Sequence, residues 1–219
     1  MTWRQLVARG VRQIARKTKE EANRTRQQII DAARQVFHEC GVSRCTLDKV
    51  AKAAGVTRGA VYWHFKDKAE LFFAMREDVF APMQERTDAL LYSEDFADPL
   101  DAIQAAMLEF FRVLDECSVL REVFEVMVLR CEYVDEFASV LEEANRPSIE
   151  FRTKIENVYL RAAAKGTLRP GLDPIAVARD TWAFSSGLLH LYMGNPGDTE
   201  LPAAIPGLIA SHMALRRRS

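Results

Sequence analysis

Residues 55–68 read GVTRGAVYWHFKDK, and this stretch decides the fold of the chain. Thr57 is placed to cap a short helix that ends near Trp63, because its hydroxyl can accept from backbone N–H groups of the first turn. Asp67 is placed to cap the next helix, with Glu70 three residues later as its capping-box partner. The stretch therefore predicts a short helix followed at once by the start of a longer one.

The residues before this stretch complete the motif. Residues 46–55 read TLDKVAKAAG, a short amphipathic helix that Thr46 caps and Gly55 ends. A firm helix precedes it at 23–40, with apolar residues at helical spacing and Gly41 as its stop. Two short helices joined by a glycine turn predict a helix-turn-helix, whose second helix enters the major groove of DNA.

The rest of the chain also predicts helices, because its apolar residues recur at intervals of three and four and β-branched alternation is scarce. The predicted helices after Asp67 run to about residue 91, with a discontinuity at Pro82, and then over 99–116, 119–135, 138–165, 174–193 and 202–215. The predicted fold is all-α, with a three-helix helix-turn-helix domain and a larger C-terminal helical domain. The predicted divisions are a basic arm at 1–22, a DNA-binding domain at 23–83 and a ligand-binding and dimerisation domain at 84–219.

Charge is distributed unevenly. Of the 219 residues, the first 68 contain 15 Lys and Arg against six Asp and Glu, whereas the remainder contain 15 against 25. A basic N-terminal part on an acidic body is the electrostatic footprint of a polyanion-binding protein. We therefore expect DNA to bind at one end of the molecule.

The sequence argues against several other classes. Its four cysteines, Cys40, Cys45, Cys117 and Cys131, show no metal-ligand spacing, so we expect no metal and no cofactor. No run of about 18 apolar residues predicts a membrane span, and the N-terminus lacks the features of a secretory signal, so a cytoplasmic protein is expected. No nucleophile–base order, phosphate loop or paired carboxylates indicate an enzyme.

Residues of the short third helix are expected to read DNA. Arg58 is the candidate for base recognition, since its planar fork can bond guanine O6 and N7 together. Gly59 has no Cβ and allows close approach of the backbone. Residues at the exit of this helix are expected to contact phosphates, and Arg16, Lys17 and Lys19 to act as an arm. The complete predicted set is Thr46, Lys52, Thr57, Arg58, Gly59, Ala60, Tyr62, Trp63, His64, Lys66 and Lys68.

At this point the sequence resembles the TetR family of transcriptional regulators. The dense match covers about residues 16–75 and includes Thr25, Arg26, Ala32, Ala33, Phe37, Gly41, Val50, Ala51, the 54–59 and 62–68 runs and Leu71. Residues 15–22 and 129–134 look most similar to AcrR-like repressors of multidrug efflux operons. The resemblance implies a homodimer that represses a promoter by binding double-stranded operator DNA and is released by hydrophobic small molecules. It also implies a ligand-contacting acid late in the fourth helix, where this chain has Val79 and Phe80, with Glu77 as a nearby carboxylate.

The C-terminal helices contain more large apolar residues than one buried face needs. A plain helical core is one interpretation, and a cavity lined by aromatic and Met side chains is the other. The candidate ligand contacts are Met107, Phe110, Phe111, Phe124, Met127, Cys131, Asn145, Trp182 and Ser186.

The last two helices carry the predicted dimer interface. Two-fold pairing matches a pseudo-palindromic operator and doubles the readout of a single short helix. The candidate interface residues are Phe184, Leu188, Leu191, Tyr192, Ile205, Ile209 and Met213. The alternative function is a redox-responsive or ligand-independent regulator of the same type, with Cys117 and Cys131 as the candidate thiols.

Overall fold

A computed structural model of the chain describes the backbone of residues 3–218 and the side chains of 18–134, 137, 138 and 140–218. Its α-helices, in chain order, are α1 (Trp3–Cys40), α2 (Leu47–Ala54), α3 (Arg58–His64), α4 (Lys68–Tyr92), α5 (Pro99–Glu116), α6 (Ser118–Leu129), α7 (Leu141–Lys165), α8 (Pro174–Gly194) and α9 (Glu200–Ala214). A 3-10 helix, Asp135–Val140, precedes α7. The all-α prediction is confirmed.

The chain divides into two compact units, one up to Met75 and one from Arg76. The division falls inside α4, earlier than the boundary at residue 83 that the sequence suggested. The first unit contains α1, α2, α3 and the first turns of α4. The second unit contains the rest of α4 and the helices from α5 to α9.

The first unit is built around a small apolar core. Phe37 of α1 meets Phe72 of α4 edge to face, with ring centroids 6.3 Å apart, and Val61 of α3 is fully buried. Gly41 ends α1 with a φ of 78°, and Gly55 ends α2 with a φ of 67°. Both adopt the left-handed conformation that favours glycine, as the sequence predicted for these two stops.

Helix α1 is longer than the predicted 23–40. It begins at Trp3, so residues 3–22 belong to the same helix as residues 23–40. This segment has no proline, and its Arg, Lys, Glu and Ala residues are good helix formers. The prediction of a basic arm did not take this helix propensity into account. Met1 and Thr2 of the predicted arm lie outside the described residues, as do the side chains of Arg16 and Lys17; Lys19 is exposed.

The second unit differs from prediction in its middle. Helix α6 ends at Leu129, and α7 begins only at Leu141, where the sequence suggested helices over 119–135 and 138–165. Pro82 and Pro147 lie inside α4 and α7, neither of which ends there. The segment between α6 and the 3-10 helix is tied back by Tyr133, whose hydroxyl donates to the Met127 carbonyl at 3.3 Å.

The basic end of the chain is anchored to the second unit. Arg216 is buried and pairs with Asp180, and Arg217 pairs with Asp98 and Asp101 at 2.6 and 2.7 Å. An isolated antiparallel bridge joins Leu168 to Arg217. Residues 216 and 217 are therefore part of the packed structure of the second unit.

Within residues 3–218, none of the helices combines the length and the apolar composition that crossing a bilayer requires. Among the side chains that the structure describes, no group of three or more His, Cys, Asp and Glu residues is placed to hold a metal ion.

Candidate functional site

The helix-turn-helix is formed by α2 and α3, and both helices have the predicted caps. The Thr46 hydroxyl accepts from the Lys49 N–H at 3.3 Å, and the Thr57 hydroxyl accepts from the Ala60 N–H at 3.2 Å. The Gly55 N–H closes α2 on the carbonyl of Lys52 at 3.2 Å. These local bonds fix where α3 begins, and so they fix the position of the residues in its first turn.

Arg58 is the first residue of α3, and its exposed guanidinium is held in place. It donates to the Tyr62 hydroxyl at 3.4 Å, lies 5.3 Å from the centre of the Tyr62 ring and forms an ion pair with Asp48 of α2 at 3.2 Å. The hydrogen bond to Tyr62 and the charge of Asp48 raise the pKa of Arg58. The exposed guanidinium is thus held between Tyr62 and Asp48.

The remaining predicted DNA contacts are mostly exposed. Trp63 is 73% exposed and Tyr62 is 47% exposed. Such high exposure is unusual for aromatic side chains that do not contact a partner molecule. His64 is half-buried beside Trp63, and burial, followed by the charge of Arg26, lowers its pKa. Exposed residues Lys52, Arg58, Gly59, Tyr62, Trp63 and Lys66 are called the DNA-reading surface below.

Lys68 differs from the prediction. Its side chain is only 9% exposed, and its ammonium donates to the carbonyls of Val42 and Cys45 at 3.1 and 3.2 Å. These carbonyls lie in the loop between α1 and α2. The sequence suggested a phosphate contact for Lys68, but the structure uses it to close this loop, since a long side chain at the start of α4 can reach the unpaired carbonyls.

The start of α4 has the predicted capping box. Asp67 accepts from the Glu70 N–H at 2.9 Å, and the Glu70 carboxylate accepts from the Lys66 N–H at 2.7 Å. Lys66 is therefore held at the exit of α3 by its backbone while its side chain remains exposed.

The second unit encloses a cavity of about 430 Å³. Eight of the nine predicted ligand contacts line it: Met107, Phe110, Phe111, Phe124, Met127, Asn145, Trp182 and Ser186. Cys131 is not among the lining residues. The volume is that of a site for a drug-sized molecule, so the interpretation as a plain core does not hold for this region.

Aromatic rings form one wall of the cavity. Phe80 and Phe124 are stacked, with centroids 4.6 Å apart, and Phe110 meets Phe124 edge to face at 5.4 Å. Trp182 is fixed by its indole N–H, which donates to the Ser148 hydroxyl at 2.8 Å. Such a wall offers both ring faces and ring edges to an aromatic ligand.

Sequence reasoning missed the charged groups of the cavity. Asp88 of α4 and Lys154 of α7 both line it and are paired at 2.7 Å. Glu77, the carboxylate that the sequence indicated, does not line the cavity and pairs with Arg76. Asp88 lies on the same helix as Phe80, and its spacing from Phe80 places both residues on one helix face. This spacing is the sequence signal that could have identified Asp88 as a lining residue.

The cysteines are free thiols and none lines the cavity. Burial, followed by the charge of Cys40, raises the pKa of Cys45 to about 11, which disfavours its reactive thiolate. Cys117 and Cys131 are half-buried.

The predicted dimer residues separate into two groups. Leu188, Ile205, Ile209 and Met213 are at most 4% exposed, because α9 packs against α5 and α8 within the chain. This part of the prediction is corrected, since these four side chains belong to the core of a single chain. The prediction assigned these large apolar residues to contacts with a second copy of the chain, although they pack in the core of one chain.

The other three dimer residues have different surroundings. Phe184 stacks on His212 with centroids 3.9 Å apart, and the Tyr192 hydroxyl donates to Asp115 at 2.6 Å. Leu191 is 59% exposed. The exposed residues around it are mostly small, and we call them the small-residue face: Ala183, Gly187 and Leu191 of α8, and Ala203, Gly207, Leu208 and Ala214 of α9.

The first unit has the helix order, the caps and the exposed first turn of a DNA-reading helix-turn-helix. The second unit is a larger helical body around a drug-sized cavity. Together they define the class of helix-turn-helix transcriptional regulators.

Comparison with known proteins gives the family. The model described as "Bacterial regulatory proteins, tetR family" matches residues 29–75. The HTH-type transcriptional regulator TtgR of Pseudomonas putida is 34% identical over 191 residues, which are 86% of this chain and 89% of TtgR. The chain belongs to the TetR family of bacterial transcriptional regulators, which are DNA-binding proteins.

Solved structures of two other proteins are similar to this chain over most of its length. NalD, described as the secondary repressor of the MexAB-OprM multidrug efflux pump in Pseudomonas aeruginosa, is 31% identical and superposes with a TM-score of 0.81, covering 91% of this chain and 99% of NalD. A complex of triclosan with SmeT, the repressor of a multidrug efflux pump of Stenotrophomonas maltophilia, is 33% identical with a TM-score of 0.77, covering 89% of this chain and 92% of SmeT.

Proposed function

We propose that this protein is a homodimeric repressor of a multidrug efflux operon, which a hydrophobic small molecule releases from its operator. The observation that carries the proposal is the presence, in one chain, of an ordered and exposed Arg58 on α3 and an aromatic cavity of about 430 Å³. NalD and SmeT, whose similarity extends over most of this chain, are described as repressors of such pumps.

On DNA, Arg58 exchanges Asp48 for a guanine edge. The exchange costs little because an exposed ion pair stabilises only weakly, whereas a bidentate arginine–guanine contact discriminates strongly between bases. Lys52 and Lys66 contact phosphates and set the register without reading sequence.

Helix α4 carries the effect of the ligand. It begins in the first unit at Lys68, and its later residues Phe80, Met83 and Asp88 line the cavity. A ligand that binds one position of these later turns more tightly than another shifts the population of α4 conformations, and it can do so only by its differential affinity. The conformer that the ligand favours has the lower operator affinity.

The dimer forms through the small-residue face of α8 and α9. A Cβ built at Gly187 or Gly207 meets no atom within 4 Å, so the chain itself leaves space above both glycines. Small residues allow two helices to approach closely, and Leu191 and Leu208 add apolar area to such a contact. A two-fold pair then presents two α3 helices to two half-sites.

Fluorescence anisotropy with a labelled duplex from the DNA upstream of the protein's own gene tests the proposal. We expect tight binding at fixed salt, release by triclosan, and a loss of about 1–3 kcal/mol at one base pair in Arg58→Ala. Lys66→Ala is the matched control, because it should weaken all sequences alike. Binding no tighter than to unrelated DNA would contradict the repressor, and triclosan that binds without lowering operator affinity would contradict the release mechanism.

A further inference from the structure

The cavity wall contains one pair of opposite charges. Lys154 of α7 lies with its ammonium 2.7 and 2.8 Å from the two carboxylate oxygens of Asp88 on α4. The side chains are 20% and 30% exposed, respectively, so the pair is only partly solvated. Among the described residues that line the cavity, these are the only two with a formal charge when histidine is neutral, and their charges cancel.

Several other polar groups of the wall are already engaged. The Tyr133 hydroxyl donates to the Met127 carbonyl, the Ser185 hydroxyl donates to the Thr181 carbonyl, and Ser148 accepts from Trp182. Thr87 donates to the carbonyl of Met83. The polar residues Gln84, Asn145, Ser186 and His190 also line the cavity, and the Asp88–Lys154 pair supplies the formal charges of the described wall when histidine is neutral.

Charge from outside the wall does not break this balance. Burial raises the pKa of Tyr133, and the charge of Arg76 partly opposes this rise. Arg76 itself is paired with Glu77 at 2.5 Å and with Glu143 at 3.8 Å. Its positive charge is thus offset where it stands.

We propose that the Asp88–Lys154 pair sets the charge specificity of the cavity, which selects uncharged aromatic molecules that carry a hydroxyl group and rejects cations and anions. The inference rests on the proposed function in one respect, namely that the cavity is the inducer site. It adds a ligand class and the two residues that determine it.

The physical reason is the balance of the pair. An ammonium ligand can form an ion pair with Asp88 only by competing with Lys154. A carboxylate ligand can form an ion pair with Lys154 only by competing with Asp88. Either ion loses its hydration and leaves the wall with one uncompensated charge. A hydroxyl group can donate to Asp88 or accept from Lys154 without separating them, while its ring packs on Phe80, Phe110 and Phe124.

Isothermal titration calorimetry of the full-length protein with three compounds of one shape tests the proposal. These are para-phenylphenol, para-phenylbenzylamine and para-phenylbenzoate, which are neutral, cationic and anionic near neutral pH. We expect the wild-type protein to bind the phenol at least about tenfold more tightly than either ion, which corresponds to about 1.4 kcal/mol.

Three variants test whether the Asp88–Lys154 pair determines this charge specificity. Lys154→Met leaves Asp88 unpaired and should raise the affinity for the amine about tenfold, whereas Asp88→Asn should do so for the carboxylate. The double variant Asp88→Asn, Lys154→Met removes both charges and should keep phenol binding without a gain for either ion. Because the double variant leaves no unpaired charge, it also remains informative if a single variant folds poorly.

The outcomes divide clearly. Equal affinity of the wild-type protein for the phenol and either ion, or single variants without the opposite gains, would overturn the charge specificity. Absence of binding by all three compounds would overturn the aromatic ligand class. Operator binding is measured separately with the labelled duplex, so a protein that binds the phenol selectively but no operator would sink the proposed function and leave the cavity specificity standing.

Discussion

Replacing Lys68 distinguishes a structural role from a DNA contact. In the structure its ammonium holds the carbonyls of Val42 and Cys45 at 3.1 and 3.2 Å. Hydrogen bonds to a charged group contribute about 1.5–3 kcal/mol each, and Lys68→Met removes two of them while keeping most of the aliphatic packing. Because one carbonyl can recover a water molecule at the edge of the loop, we expect a loss of about 2–4 kcal/mol in the free energy of unfolding.

Urea unfolding followed by circular dichroism measures this loss. With a slope of about 2 kcal/mol per molar urea, the unfolding midpoint should fall by about 1–2 M. Lys66→Met is the matched control, since its exposed side chain should change stability by less than about 0.5 kcal/mol.

The salt dependence of operator binding completes the test. Lys66→Met should reduce the slope of log affinity against log salt by about 0.9, the amount expected for one phosphate contact, and Lys68→Met should leave the slope unchanged under conditions where it is folded. Wild-type stability in Lys68→Met combined with a reduced slope would refute the structural role and restore the phosphate contact.

Two further predictions concern Gly59 and His212. A Cβ at Gly59 meets nothing closer than the Thr57 hydroxyl at 3.9 Å, so Gly59→Ala should leave stability unchanged or raise it by up to about 1 kcal/mol while weakening operator binding in anisotropy; unchanged affinity would remove Gly59 from the DNA-reading surface. Burial, followed by the charge of Arg216, lowers the pKa of His212 from 6.5 to about 4. The folded state therefore favours neutral His212, and the stability that this provides is present above about pH 6.5 and is lost as the pH falls towards 4. Urea unfolding should show a difference between wild type and His212→Gln that shrinks over that range, and a constant difference would contradict the assignment.

The helix-turn-helix could be predicted because its signals are local. Thr46, Thr57, Gly41 and Gly55 act within a few residues of where they stand, and the structure gives each the expected cap or turn. The carbonyl partners of Lys68 could not be predicted because they lie 23 and 26 residues away in the sequence, in a loop that the local pattern does not connect to α4.

The cavity could be predicted in part for a similar reason. Aromatic and Met residues at helical spacing indicated six of its lining residues, and Asn145 and Ser186 were indicated as polar residues on apolar faces. Asp88 and Lys154, however, are 66 residues apart and become a pair only because the fold brings these parts of α4 and α7 together. A single charged residue in an amphipathic helix gives no signal of such a partner.

The exposed faces of α8 and α9 could not be derived from hydrophobicity. Ile205, Ile209 and Met213 are large apolar residues of α9, and they are buried in the core of the chain because burial of large side chains stabilises most. The surface that remains consists of small residues such as Ala203 and Gly207, which a search for large apolar positions passes over.

The positions of the tryptophans have a practical consequence. The chain has three, of which Trp63 lies on the DNA-reading surface and Trp182 lines the cavity. A protein with Trp3→Phe and Trp63→Phe therefore keeps only Trp182, whose fluorescence emission wavelength responds to a molecule bound in the cavity. The reciprocal protein, with Trp3→Phe and Trp182→Phe, keeps only Trp63, whose quenching by bases follows the recognition helix. The two proteins together let the entry of an inducer and the departure of the operator be timed as separate optical events.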